Sequence, residues 1–141
     1  MAVELDQAIA WASGRKNAVL ITLRNDGRAQ SSDITYLVTG GTIVISLTAT
    51  RAKTANMRRD PRVILHITDP GSWSYLSFDA VADLGPVTTA KDDEAADDLV
   101  DYYRSVAGEH DNWDEYRSAM VSEQRQLLRL RPTSVVGQIN S

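Results

Sequence analysis

The clearest candidate for chemistry in this sequence is a short basic segment, residues 51–62. It holds five arginine or lysine residues and one aspartate, a local charge of +4 in a chain whose formal net charge is −4, so the other residues carry −8. Arg51 and Lys53 stand at its start. A guanidinium can hold a phosphate through two parallel hydrogen bonds, and an ammonium can act as a point charge. The segment therefore predicts a phosphate site, with a solvated basic helix as the alternative interpretation.

A short helix over residues 52–59 is predicted to carry this site. Pro61 disfavours helix at the residue before it, and two arginines suit a helix C-terminus. The free backbone N–H groups at the helix start would face the same anion as Arg51 and Lys53. Three nearby threonine hydroxyls are further candidate donors: Thr48, Thr50 and Thr54.

Three consecutive polar residues, Gln30, Ser31 and Ser32, follow a strong hairpin turn at residues 25–28. They break the alternation expected of a half-buried strand, and their side chains could hydrogen-bond a heterocyclic ring. An edge strand with a solvated face is the simpler alternative.

Four aromatic residues are candidates for a functional site. Trp73 and Tyr75 lie two apart on a predicted strand, so they face one side and could stack on a planar ring or pack in a core or interface. His66 is predicted to be a buried, hydrogen-bonded core residue, and His110 a capping or interface residue. No serine and acid group accompanies either histidine, so no hydrolase triad and no catalytic side chain is assigned.

Composition excludes several classes of site. The chain has no cysteine, which rules out disulfides, thiolate zinc sites, iron-sulfur clusters and cysteine nucleophiles. Any redox chemistry must therefore come with a cofactor. A sequence pI near 5.1 argues against general nucleic-acid binding. The aspartates of residues 92–101 are explained by the start of a helix, and no metal site is assigned.

The 141 residues, 43% of them hydrophobic, fit one domain covering residues 1–141. The longest apolar stretches are too short to cross a bilayer, and the first residues lack a signal-peptide pattern, so we expect a cytoplasmic protein without membrane contact.

Apolar periodicity predicts the elements that position these residues. Strands are predicted at 18–23, 34–38, 42–48, 62–68, 73–84, 126–130 and 134–139, the last two separated at Pro132, and helices at 4–13, 52–59, 92–107 and around Trp113, Tyr116 and Met120. Six or seven antiparallel strands predict a mainly β fold with accessory helices, a small closed or split barrel. Side chains fill so small a barrel, so a cofactor would lie outside it, sheltered at a homodimer interface.

Four sequence blocks follow one another in a characteristic order. They are Asp26-Gly27-Arg28-Ala29-Gln30-Ser31, then Arg51-Ala52-Lys53-Thr54 with Asn56 and Arg58 to Arg62, then Trp73-Ser74-Tyr75, and lastly Gly108 to Arg125 with Leu127, Leu128 and Leu130. Together they resemble the split β-barrel superfamily of pyridoxamine-phosphate-oxidase-like proteins, in particular its actinobacterial flavin/deazaflavin oxidoreductases that use coenzyme F-420. Two departures are Ala29, where the family usually has proline, and Asp79-Ala80, where it often has Glu-Gly; the second puts the shape of the substrate pocket in doubt.

The resemblance implies a homodimer that binds coenzyme F-420 at the subunit interface, with FMN as the alternative cofactor. It implies hydride transfer between the deazaflavin C5 and a planar conjugated small molecule such as a quinone, a tetrapyrrole or an unsaturated lactone. An FMN-dependent oxidase or reductase, or a non-catalytic binding protein, would be an alternative function. The cofactor-binding residues implied are Gln30, Ser31, Ser32, Asp33 and Ile34 at the ring, Ser46 and Thr48 beside the tail, and Arg51, Ala52 and Lys53 at the phosphate. Thr50, Trp73 and Ser74 complete the set, with Trp73 contributed by the partner.

Overall fold

A computed structural model describes residues 2–140, which form four helices and seven strands. In chain order these are α1 (Leu5–Ala12), β1 (Asn17–Leu23), β2 (Ala29–Thr35), β3 (Leu37–Thr39), β4 (Thr42–Thr48), α2 (Ala52–Arg59), β5 (Arg62–Asp69), β6 (Ser74–Leu84), α3 (Glu94–Ala107), α4 (Trp113–Ser122) and β7 (Arg125–Gln138). No helix among these residues is both long and apolar enough to cross a membrane.

The seven strands form one antiparallel sheet in the order β2-β1-β5-β6-β7-β4-β3, curled into a split β-barrel. Alternate residues of the central strands point inward, so the barrel interior is filled by aliphatic side chains, Tyr36 and Phe78. The fold class predicted from the sequence is confirmed. The filled interior leaves the outer surfaces of the sheet as the places where a ligand can bind.

The helices close the barrel and cover part of its outer surface. Ala8 and Ala12 of α1 are fully buried, and the hydroxyl of Tyr36 donates to the Ala12 carbonyl at 2.7 Å. Helices α3 and α4 pack on the outer side of β4 and β7 through a second apolar cluster of Val44, Leu99, Val100, Tyr116, Met120 and Leu127. The helix predicted around Trp113, Tyr116 and Met120 is confirmed, and Tyr116 and Met120 are its buried residues.

Two strand predictions were wrong in detail. The predicted break at Pro132 is absent, because β7 runs continuously past it with a register shift opposite Asp79 and Ala80. This β-bulge accommodates a residue that cannot donate a backbone hydrogen bond. The strand predicted at 34–38 is divided, since β2 begins at Ala29 and ends before Tyr36.

Candidate functional site

The basic segment borders a small polar cavity of about 220 Å³, which we call the anion cavity. It lies where β4 ends and where both α2 and β7 begin. Its lining consists of Ser46, Leu47, Thr48, Arg51, Lys53 and Arg125. Thr48 and Arg125 are opposite one another in the β4–β7 pairing, so the sheet register itself brings a third cation to the cavity.

The local sequence explains why α2 starts at this cavity. Arg51 occupies the N-cap position in an extended conformation, and its side chain does not cap the helix. Its carbonyl accepts hydrogen bonds from the N–H groups of Thr54 and Ala55, both at 3.1 Å. The hydroxyl of Thr54 donates to the Thr48 carbonyl at 2.9 Å, which ties the helix to the end of β4. The arginine side chain is thus left exposed beside the helix start, where backbone N–H groups favour an anion.

The electrostatics of the cavity favour an anion as well. Burial lowers the pKa of Lys53, and the positive charges of Arg51 and Arg125 lower it further. The three cations therefore repel one another across the cavity, and its lining contains no carboxylate. A bound anion would relieve that repulsion, which makes phosphate a suitable ligand for this cavity.

Four of the residues predicted to hold the cofactor tail and phosphate are brought together here, namely Ser46, Thr48, Arg51 and Lys53. Ala52, the first residue of α2, and Thr50, two residues earlier, are both exposed and do not line the cavity. Thr54 is fully buried and its hydroxyl is used within the fold, so the prediction that it could contact an anion was wrong.

The five residues predicted to line the ring divide between the two faces of β2. Gln30, Ser32 and Ile34 alternate on the half-buried face, and Ser31 and Asp33 on the exposed one. The predicted break in alternation is therefore wrong, because the three polar residues occupy a regular edge strand. The half-buried face is the one that continues towards α2.

Asn56 of α2 links that face to the helix that borders the anion cavity. Asn56 is only 6% exposed, so its polar groups need partners within the fold. Its side-chain N–H groups donate to the Thr22 hydroxyl and to the Gln30 side-chain carbonyl, each at 3.1 Å. The side-chain carbonyl of Asn56 accepts a hydrogen bond from Arg59, and Arg59 also donates to the backbone carbonyl of Leu23 at 2.7 Å. The role of Asn56 was missed in the sequence, although a polar residue within an otherwise ordinary short helix was a signal.

The two arginines at the C-terminus of α2 are more than surface charges. Arg58 donates to the Ala49 carbonyl through both terminal nitrogens, at 3.2 and 3.1 Å, while Arg59 holds Asn56 and the end of β1. Neither contributes to the lining of the anion cavity. Their contacts fix the position of the helix relative to the sheet.

Trp73 and Ser74 lie at the β5–β6 turn and do not line the anion cavity. Trp73 was predicted to be in the strand, but it precedes β6, has a positive φ of 59° and is 81% exposed. Its carbonyl is held by the side-chain amides of Gln138 and Asn140, both at 3.0 Å. Ser74 is buried, and its hydroxyl accepts from the Asn140 N–H at 2.8 Å, so it serves the turn rather than an open pocket.

His66 is not a core residue, and that prediction was wrong. Its neighbours Leu65 and Ile67 point into the barrel, so the side chain of His66 points outward and is only partly buried. It stacks on Tyr75 with ring centroids 5.8 Å apart. It also lines an open groove of about 440 Å³ together with Val19, Asp33 and other residues of β1, β2 and β5.

His110 is placed as predicted. Its Nδ1 accepts from the N–H of Asn112, the residue that caps α4, at 2.9 Å, and its ring packs on Tyr103, Trp113 and Tyr116. The histidine therefore belongs to the junction between α3 and α4.

The family model described as pyridoxamine 5'-phosphate oxidase matches residues 5–138 of this chain. The chain belongs to the pyridoxamine 5'-phosphate oxidase family. The match covers both the anion cavity and the half-buried face of β2, so the residues of both lie within the family domain.

Solved structures similar to this family member share its fold. An F-420 reductase is 22% identical, with 85% of this chain and 88% of that chain covered and a TM-score of 0.65. A conserved hypothetical protein from Mycobacterium tuberculosis is 20% identical, with 96% and 84% covered and a TM-score of 0.74. A heme storage protein from Vibrio cholerae is 18% identical, with 98% of each chain covered and a TM-score of 0.68.

The pyridoxamine 5'-phosphate oxidase family has oxidoreductases among its members, and its fold binds flavins. Within residues 2–140 of this member, no three histidine, cysteine, aspartate or glutamate side chains are grouped so as to hold a metal ion. The anion cavity and the half-buried face of β2 are therefore the features from which a function can be argued.

Proposed function

We propose that this protein is an oxidoreductase that binds coenzyme F-420 and transfers a hydride between the cofactor and a planar conjugated small molecule. The observation that carries the proposal is the anion cavity, where Arg51, Lys53 and Arg125 meet two strand hydroxyls at the start of α2. That arrangement suits the phosphate of a flavin or deazaflavin. The fold shared with an F-420 reductase supports the proposal.

The phosphate would bind between α2 and the ends of β4 and β7. Arg51 would hold it through paired hydrogen bonds, Lys53 would supply a point charge, and the hydroxyls of Ser46 and Thr48 would complete the donors. All four groups come from segments fixed by backbone hydrogen bonds, so little backbone ordering would accompany binding.

The ring would extend from the phosphate along α2 towards the half-buried face of β2. There Gln30 and Ser32 offer polar groups and Ile34 an apolar contact. The link from Asn56 to Gln30 fixes the amide orientation, since Asn56 donates and the Gln30 carbonyl accepts. The remaining N–H groups of Gln30 would be free to donate to a ring carbonyl or nitrogen.

When bound, the deazaflavin supplies the hydride chemistry, and the chain's residues bind, orient and exclude water. No acid–base pair borders the anion cavity within residues 2–140, because its ionisable lining residues are all cations. His66 lies on a different groove, beside Val19 and Thr68. Orientation of two bound molecules is therefore the catalytic contribution we assign to this protein.

A second copy of the chain would complete the site. Trp73, Tyr75 and Val136 are large apolar residues with 81, 41 and 69% exposure, and the latter two lie on the outer surface of β6 and β7. Exposed apolar surface of this kind favours association. In the proposed homodimer, Trp73 of the partner subunit would close the cofactor pocket.

FMN is the second candidate cofactor, and the number of cations suits it too. A phosphate monoester such as FMN carries close to two negative charges near neutral pH, which three cations can match. A non-catalytic binding protein is the alternative from another class, because the cavity offers binding groups without an acid–base pair.

The deciding experiment is a side-by-side titration of the purified protein with coenzyme F-420 and with FMN. We expect the tighter dissociation constant for F-420. When the cofactor is supplied in its reduced form, we expect hydride transfer from it to a quinone under single-turnover conditions. Tighter binding of FMN would assign the flavin function instead. Tight binding of either cofactor with no turnover across quinone, tetrapyrrole and lactone acceptors would indicate a binding protein.

A further inference from the structure

Arg125 reaches the anion cavity from β7, a different element from α2. It is the first residue of β7 and faces Thr48 across the β4–β7 pairing. Its side chain is 30% exposed and lines the cavity together with Arg51 and Lys53. An anion in the cavity would therefore be contacted both by the helix start and by Arg125.

The backbone before Arg125 is held in an unusual conformation. Gln124 has a φ of 54°, a left-handed value that residues other than glycine seldom adopt. Its carbonyl accepts from the Ala49 N–H at 2.9 Å and its own N–H donates to the Val121 carbonyl at 3.1 Å. These two bonds fix the turn between α4 and β7 against the end of β4. Strain of this kind persists where the surrounding structure enforces it, and it often marks functional sites.

Glu123 holds the arginine in place. One carboxylate oxygen of Glu123, Oε1, accepts a hydrogen bond from Nε of Arg125 at 3.0 Å and forms a salt bridge with Nη2 at 2.9 Å. Nη1 is not part of this contact. The side chain of Glu123 is 45% exposed and does not line the cavity, so Glu123 pairs with Arg125 from outside the anion cavity.

We infer that Arg125 is a third phosphate anchor of the cofactor site and that Glu123 is its internal counter-ion, which competes with the bound phosphate for the guanidinium. The inference rests on the proposed function, since it takes the phosphate of a flavin or deazaflavin as the anion. The pKa of Lys53, which Arg125 helps to lower, agrees with a cavity whose cations lack a sufficient counter-charge.

The two residues should have opposite effects on binding. Arg125→Ala removes a charge-assisted contact, so it should weaken binding of the phosphate-bearing cofactor by about tenfold or more. Glu123→Gln removes an exposed competing charge, so it should tighten binding by about twofold to fivefold. The double variant should bind like Arg125→Ala, because Glu123 acts through Arg125.

Arg129→Ala is the matched control. Arg129 lies four residues further along the same strand and on the same side of β7, but it borders a different groove beside Leu37, Asp101 and Tyr102. We expect its dissociation constant to stay within about twofold of wild type, as for a surface charge outside the site. Circular dichroism of every variant would confirm that each is folded before the titrations are compared.

The probes are coenzyme F-420, FMN, riboflavin, which lacks the phosphate, and inorganic phosphate followed by its ³¹P resonance. Equal binding of a phosphate-bearing cofactor by wild type and Arg125→Ala would overturn the inference while leaving the proposed function intact. If wild type binds neither cofactor, the proposed function fails, and the phosphate titration then decides whether Arg125 holds an anion. Tightening by Glu123→Gln that persists in the double variant would overturn the counter-ion role.

Discussion

At the residue scale, the site consists of a few charged groups whose positions are set by ordinary backbone contacts. Lys53 and Arg51 differ from the other cations of the basic segment because their side chains line the anion cavity, whereas Arg58 and Arg59 donate to backbone carbonyls and Arg62 pairs with Asp60. The same segment therefore contains both candidate ligand-binding residues and structural ones. A substitution series can separate these two roles.

We predict that Lys53→Ala and Arg51→Ala each weaken cofactor binding by about tenfold to a hundredfold, since a charge-assisted hydrogen bond contributes about 1.5 to 3 kcal/mol. Both variants should also show a flatter salt dependence than wild type, because a screened contact has been removed. The measurement is a cofactor titration at low and high ionic strength.

Arg129→Ala is the control for this series. Arg59→Ala is unsuitable as a control, because Arg59 holds Asn56 and its loss could disturb the ring site indirectly. A change of less than about twofold is expected for the control. Wild-type affinity in both Lys53→Ala and Arg51→Ala would show that the phosphate binds elsewhere.

At the element scale, one buried amide joins α2 to strands β1 and β2. Asn56 bonds Thr22, which is fully buried, and Gln30, so removing it leaves polar groups without partners. We predict that Asn56→Ala lowers the free energy of unfolding by about 1 to 3 kcal/mol. Denaturant unfolding would measure this, with Asn25→Ala in the exposed β1–β2 turn as a control expected within about 0.5 kcal/mol of wild type. An unchanged midpoint for Asn56→Ala would mean that water replaces these bonds at no cost.

The start of α3 supplies a pH-dependent contribution to stability. The Asp93 carboxylate accepts from the N–H of Thr89, the hydroxyl of Thr88 and the N–H groups of Ala96 and Ala90, and these bonds hold the pKa of Asp93 well below its usual value of about 3.9. Because the folded-state pKa is depressed, the stabilisation is present above about pH 4 and is lost as the pH falls through the lower folded-state value.

We therefore predict that Asp93→Asn lowers the melting temperature near neutral pH and reduces its further fall on acidification to about pH 3. The neutral amide offers one acceptor oxygen where the carboxylate offers two, and it does not titrate. Thermal unfolding followed by circular dichroism across this range is the measurement. Asp92→Asn, an exposed neighbour, is the control and should keep the wild-type slope. Equal slopes for wild type and Asp93→Asn would contradict the assignment.

The elements with strong local signals could be predicted closely from the sequence. Helix α2 and strand β4 have the predicted bounds, because Pro61 ends the one and a glycine pair begins the other. Strand β7 could not be predicted as one element, because whether a strand continues through Pro132 depends on a bulge formed with β6. The contribution of Arg125 depends similarly on pairing with β4, which no local pattern encodes.

At the scale of the whole molecule, the barrel has one outer surface covered by α3 and α4 and another that lacks such a cover. We call the second the open face and define it by Val19, Ile21, Ile64, Tyr75 and Val136. Two grooves of about 440 and 370 Å³ lie along it. Monomeric proteins seldom expose large contiguous apolar patches, so this face is the surface through which we propose that two copies associate.

We predict that the protein sediments at micromolar concentration as a species of twice the 15.5 kDa chain mass. Val136→Glu should shift it to the monomer, because Val136 is 69% exposed in the isolated chain and a charge buried in the interface would lack a partner. The same variant should weaken cofactor binding if Trp73 of the partner subunit closes the pocket. Thr39→Glu, on the short edge strand β3 away from the open face, should remain dimeric and bind normally. A wild-type monomer that binds cofactor fully, or a Val136→Glu variant that stays dimeric, would place the association surface elsewhere.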